Sequence, residues 1–293
     1  MVSQKSSIRL MVKKAKKQLG VKQNQFGIVG TTQAISPLTQ INKKFNAVLI
    51  DGFFVLMKYF EYPFNCQAKA ITTTTDIGNV AFQVGNNKEE VKNNRDIIIN
   101  DLNIKKENLV FVHQTHSDVI KEVTSKDLGK GMNDFESGIE SDALYTKEKG
   151  IALGVFHADC EPVFFFDSTI PLVGVIHAGH KGTLKHIVFK ALRKVIDNEK
   201  LNPNNIKIWV GPLRRKESYY VNDEDKMEII SSACPIDGNY FDVAFSNKMD
   251  MICLGIPEEN IQDCNIDTYL DERCFSAYKK TPVGRMASII MLK

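Results

Sequence analysis

The heptapeptide FHADCEP, residues 156–162, sets a histidine, an aspartate and a cysteine side by side between the apolar run IALGV and the aromatic run VFFFD. Downstream, VGVIHAG carries His177, and upstream VHQTHSD carries His113 and His116. Thiolate and imidazole are the side chains that a borderline-soft ion such as zinc accepts together. Only a few residues separate VFFFD from LVGVI, too few for a helical crossover, so the two runs form an antiparallel hairpin. A hairpin centred between them opposes Cys160 to His177 at a Cα separation of roughly 5 Å.

That pair supplies two ligands, and VHQTHSD is the best source of a third. His113 and His116 lie three apart, so on a strand they face opposite sides and at most one joins. Three protein ligands leave the fourth tetrahedral position for water or substrate, the arrangement of catalytic zinc. His157 shares the parity of Asp159 rather than that of Cys160 and ranks below His116 as a ligand; Asp159 points away from Cys160. Spacing alone leaves three readings open: a metal site, a nucleophilic dyad of Cys160 and His177, or a packed cysteine beside an unrelated histidine.

The elements that position these residues are legible as patterns. Residues 89–104 repeat Val91, Ile97, Ile98 and Leu102 at helical spacing, and LVFVHQTH after them is β-branched and aromatic. DALYT, IALGVF, VFFFD, LVGVIHAG, IKIWVG and RMASIIML read as strands. In TLKHIVFKALRKVIDNEK, Leu184, Ile187, Val188, Ala191, Leu192, Val195 and Ile196 make the clearest helix, with Thr183 as its N-cap. Two more helices are expected around NDEDKMEIISSA and AFSNKMDMICLGI. The whole reads as a mixed α/β (α+β) fold, a single domain with a mixed β-sheet core flanked by helices. We place this domain at residues 46–293, after a basic N-terminal extension over 1–45.

Composition narrows the function class. The 293 residues are 43% hydrophobic, enough for a real core, yet no apolar stretch approaches the roughly 20 residues of a bilayer span. The net charge of +3 comes from the first twenty residues, which hold six Lys/Arg and no acid; the remainder has 32 basic against 35 acidic residues and is no nucleic-acid surface. In that basic segment Ile8, Met11, Val12, Ala15 and Leu19 recur at helical spacing, as in an organellar transit peptide or a solvated basic helix. Six cysteines with no C-x-x-C pair suit a reducing compartment, and the expected location is the cytoplasm, or an organelle if the basic segment is a transit peptide.

In order along the chain, HQTHSDVI, SDALYT, GIALGVFHADCEPVFFFD, VGVIHAGHKGT, VGPLRRKESYYV and FSAYKKTPVGRMAS resemble the segments of the laccase-domain family of zinc-dependent purine nucleoside phosphorylases. The resemblance implies zinc ligands at His116, Cys160 and His177. It implies phosphorolysis of a purine nucleoside with phosphate and, as in some members, adenosine deamination; editing of peptidoglycan precursors is another role proposed for members. A multicopper oxidase needs many paired histidines, whereas this chain has six and no H-x-H. Asp142 matches a family aspartate suited to orienting a ligand imidazole or acting as a general base. Departures occur: H-A-G-W-R-G reads HAGHKG, placing His180 and Lys181; the usual threonine before A-D-C is His157; and S-x-R-R reads SAYKK. Lysine keeps charge but loses the bidentate fork.

For phosphate, Gly179, Lys181 and Gly182 in GHKGT precede the best helix, where backbone amides and the dipole favour an anion, unless the segment is only a helix-start loop. Arg95, Arg285 and the pair Arg214 and Arg215 are further anion-binding candidates. The alternative to a phosphorylase is a cysteine hydrolase or peptidoglycan-precursor editing factor with Cys160 as nucleophile and His177 as base. A binding protein that retains the metal fold without catalysis is a third.

Overall fold

The computed structural model describes residues 41–42, 47–50 and 53–56 and, apart from 66 and 86, residues 58–293. The chain divides into two compact units, Met1–Met57 and Lys58–Lys293. In the first, β1 (Ile41–Asn42), β2 (Ala47–Ile50) and β3 (Phe53–Leu56) pair as an antiparallel sheet. The expected boundary at residue 46 and the basic helix before it lie outside the described residues.

The second unit is mixed α/β, with two six-stranded mixed sheets where one was expected. The first sheet runs β4 (Tyr59–Asn65), β5 (Ala68–Thr73), β17 (Met286–Leu292), β10 (Ala152–His157), β6 (Leu109–His113), β8 (Ile139–Glu140). The second runs β16 (Ile261–Asp263), β13 (Ile206–Val210), β11 (Glu161–Asp167), β12 (Leu172–Ala178), β9 (Ala143–Thr146), β7 (Ile120–Glu122). β14 (Ile236–Asp237) and β15 (Tyr240–Phe241) make a small hairpin.

The sheets stack face to face. Val110, Val112, Leu153 and Val155 of the first share one apolar cluster with Leu144, Phe164, Phe166, Val173 and Val175 of the second. Because side chains alternate along a strand, Val163 and Phe165 point the other way. They pack with Val188, Ala191 and Leu192 of helix α3 (Ile187–Glu199) and Met251 of α5 (Val243–Cys253). On the far side of the first sheet, Ile98, Ile99 and Leu102 of α1 (Lys88–Leu102) meet Phe111, Phe156 and Ile289. The layers are thus helix, sheet, sheet, helix, and the central strands are buried on both faces, which is why their sequences are continuously apolar.

Local chemistry sets the helix ends. Asn87 caps α1 by accepting from the Glu90 amide at 3.1 Å, and Asn103 closes it at φ 54°. Ile97, expected on its buried side, is instead solvent-facing. The long helix does not start at Thr183. A separate five-residue helix α2 (His180–Leu184) comes first, and His186 at φ 56° breaks the path before α3. The apolar period runs across that break and hides it. A further helix, α4 (Asp223–Ser231), follows the loop after β13.

Candidate metal centre

His116, Cys160 and His177 converge: their ligand atoms all lie within 4.8 Å of one another. His177 stands near the end of β12, Cys160 in the bend between β10 and β11, and His116 in the turn after β6. The two imidazoles meet edge to face, with ring centroids 5.2 Å apart.

The hairpin exists with a different register. His177 pairs with Pro162, and Glu161 with Ala178, so the ladder, continued, opposes Cys160 to Gly179 rather than to His177. The Asp167 carboxylate builds the turn by accepting from the amides of Thr169 at 2.8 Å and Ile170 at 3.2 Å, and Pro171, lacking an amide hydrogen, stays outside the ladder. The displacement is two residues, which preserves the face of every side chain. Cys160 and His177 are therefore diagonal neighbours on one face, within reach of each other.

Gly179 lets them close. A Cβ there would stand 2.8 Å from His116 Cδ2 and 3.0 Å from Cys160 Sγ, inside contact distance, so the backbone passes where a side chain would displace two ligands.

Asp142 organises the site. Fully buried, its carboxylate accepts from the amides of Thr115 at 3.2 Å, His116 at 3.1 Å and Ser117 at 2.6 Å, and from the Ser117 hydroxyl at 2.7 Å. It also lies 2.9 Å from His177 Nδ1, which leaves Nε2 as the ligand nitrogen. One carboxylate thus holds the turn carrying His116, at the left-handed φ of 58°, and the ring of His177. Although burial opposes ionisation, the bonds from His177 and Ser117 hold Asp142 down to about 2. Burial also opposes the Cys160 thiolate, but the neighbouring His177 and the hydrogen bond from His116 outweigh it and bring the thiol down to about 6. Cys160 and Asp142 together hold the proton on His177 when no ion is there to compete.

The other expected residues divide. His113 ends β6 and packs edge-on against Phe135, 3.7 Å from Glu136. His157 is buried away from the triad's ligand set, its Nε2 2.8 Å from Ser288 Oγ, and burial drops it to about 3. Asp159 accepts from the Thr268 hydroxyl and the Ala277 amide, both at 2.7 Å, tying two loops to the cysteine bend. Arg95, expected to bind anions, is 1% exposed; it donates to the carbonyls of Val80, Gly131 and Met132 and lies over the rings of Phe82, Phe111 and Phe156. That is a structural post in the outer core of the first sheet. Arg215 is paired with Asp263, and Arg285 donates to the Gly284 carbonyl.

GHKGT supplies Gly179 as the N-cap and the first four residues of the five-residue α2, with Lys181 exposed, so the dipole of the long helix does not begin there. Gly182 faces Ile187 Cγ2, where a Cβ would come to 3.3 Å. His180 takes an aromatic's place, edge-on to Phe241 with centroids 5.4 Å apart and its Nδ1 3.3 Å from the Tyr219 hydroxyl. Ser117 and Tyr219 were not singled out by sequence reasoning; a serine following a ligand histidine was the available signal for the first.

Sequence relatives and a solved structure resemble this chain over most of its length. The purine nucleoside phosphorylase YlmD of Bacillus subtilis is 30% identical over 227 residues, covering 73% of this chain and 82% of its own. A Staphylococcus saprophyticus protein, also named a purine nucleoside phosphorylase, is 29% identical over 228 residues, 72% of this chain and 84% of its own. Among solved structures, YlmD from Geobacillus stearothermophilus superposes with a TM-score of 0.75 at 25% identity, covering 81% of this chain and 97% of that one. The family described as multi-copper polyphenol oxidoreductase laccase matches residues 68–293, a span that holds all three candidate ligands, and the chain belongs to that family.

Proposed function

We propose that this protein is a zinc-dependent purine nucleoside phosphorylase, cleaving adenosine- or inosine-type nucleosides with phosphate, with adenosine deamination as a companion activity. The observation that carries the reading is the convergence of His116, Cys160 and His177 in a chain about 30% identical to proteins named for this activity. Two imidazoles and a thiolate suit zinc, and three protein ligands leave one position for a reactant. Zinc bound there supplies Lewis-acid polarisation of a substrate atom. The chain's own residues do the rest: Asp142 fixes the tautomer of His177 and the turn of His116, and Gly179 lets His116 and Cys160 pack against the backbone without a clashing side chain. Incubation of purified protein with inosine or adenosine and phosphate is expected to release the free base in step with phosphate consumption, and ammonia from adenosine. No base and no ammonia from zinc-loaded protein would refute it.

The Cys160 thiol at about 6 beside His177 supports a second reading, a cysteine hydrolase or peptidoglycan-precursor editing factor using that thiolate as nucleophile. Activity that survives a chelator and dies with a thiol alkylator would favour it.

A further inference from the structure

Arg214 lies in the loop after β13, and its side chain is only 6% exposed. Tyr219 and Tyr278 clamp it, their ring centroids 4.5 Å and 3.7 Å from the guanidinium carbon. Nε donates to the Ser218 carbonyl at 2.7 Å, while Nη1 is buried with no partner. Among the described residues no carboxylate pairs with it. Burying a charge without a counter-charge is costly, and the clamp holds this one in place instead of releasing it to solvent.

The loop is fastened to the metal centre. The Arg214 amide donates to the Asp159 carbonyl at 2.9 Å, one residue from Cys160, and the Asp159 carboxylate holds the Ala277 amide beside Tyr278. The Tyr219 hydroxyl lies 3.3 Å from Nδ1 of His180, which follows Gly179. Tyr278 lies in the SAYKK segment, at the first arginine of the S-x-R-R pattern that segment resembles.

We propose that Arg214 is the phosphate-binding residue of this centre, with its ring-clamped guanidinium presenting unspent N–H groups to the oxyanion. A planar fork held against two aromatic rings suits two oxygens of one phosphate, and the ligand supplies the missing counter-charge. The assignment rests on the phosphorylase reading for its context, and its test does not need turnover. Inorganic phosphate is titrated calorimetrically into zinc-loaded full-length wild type, Arg214→Leu and Arg214→Lys, with zinc content measured on each. Wild type is expected to bind phosphate, the leucine variant about tenfold or more weakly, and the lysine variant at least about threefold more weakly, since charge remains but the fork is lost. Wild type that binds no phosphate overturns the assignment, as does a zinc-replete leucine variant of unchanged affinity. If the leucine variant does not fold, unchanged affinity in the lysine variant overturns it equally. Base release assayed in parallel separates the two ideas. Phosphate bound through Arg214 without phosphorolysis removes only the phosphorylase reading; phosphorolysis with unaltered phosphate dependence in the variants removes only the role of Arg214.

Discussion

At the scale of single residues, the arrangement of His116, Cys160 and His177 depends on groups outside the triad. Asp142 spends one buried carboxylate on His177 and on three successive amides of the His116 turn. Asp142→Asn is expected to weaken zinc binding by about 10- to 100-fold, as loss of a partner behind a ligand histidine does, read by chelator competition; unchanged affinity would deny it the organising role. Cys160 offers a pH test. Its thiol is brought down to about 6, so in zinc-stripped protein the alkylation rate stays high as pH falls from 9 and declines only through about 6. A midpoint near that of a free thiol would contradict this. Chemistry of this kind was visible in the sequence through residue type: a cysteine and two histidines at strand ends announced themselves. The role of Ser117 did not, because a hydroxyl that props a carboxylate has no periodic signature. Arg95 misled for the converse reason, since sequence does not reveal that a guanidinium is spent on carbonyls in a core.

At the scale of elements, what repeats was legible and what breaks was not. The strands from β9 to β13 follow from apolar, β-branched runs, and the hairpin of β11 and β12 from its short connection. Its register escaped because Asp167 and Pro171 shift the turn; Cys160 and His177, no longer opposed, stay on one face only because a two-residue shift keeps parity. The start of α3 escaped because apolar spacing continues through His186, whose left-handed backbone carries no mark in the pattern. Elements also make the stability predictions. Asn87→Ala removes the cap of α1 and is expected to cost about 1 kcal/mol in denaturant unfolding. Phe164→Ala, between the sheets, is expected to cost about 3–5 kcal/mol. A larger loss from the cap than from the core would reverse the order in which these layers are held together.

At the scale of the molecule, both faces of the central strands are covered, and the three ligands come from separate segments that meet only in the folded chain. A strand covered on both sides reads the same whether its neighbour layer is a helix or a second sheet, so one mixed sheet and two were indistinguishable in sequence. Among the described residues no helix is long and apolar enough to cross a membrane. Because the site exists only when these segments are assembled, an ion that binds it stabilises the fold by mass action, about 2.7 kcal/mol at a hundredfold excess over Kd. Zinc should raise the melting temperature of wild type and leave that of Cys160→Ala unmoved; equal shifts would place the ion elsewhere.

The most direct test is the zinc content of purified wild-type protein measured beside Cys160→Ala by elemental analysis. One zinc per chain in the wild type and a large loss in a folded variant is the predicted result. Wild type without zinc after supplementation, or a variant that retains it in full, would contradict the centre formed by His116, Cys160 and His177.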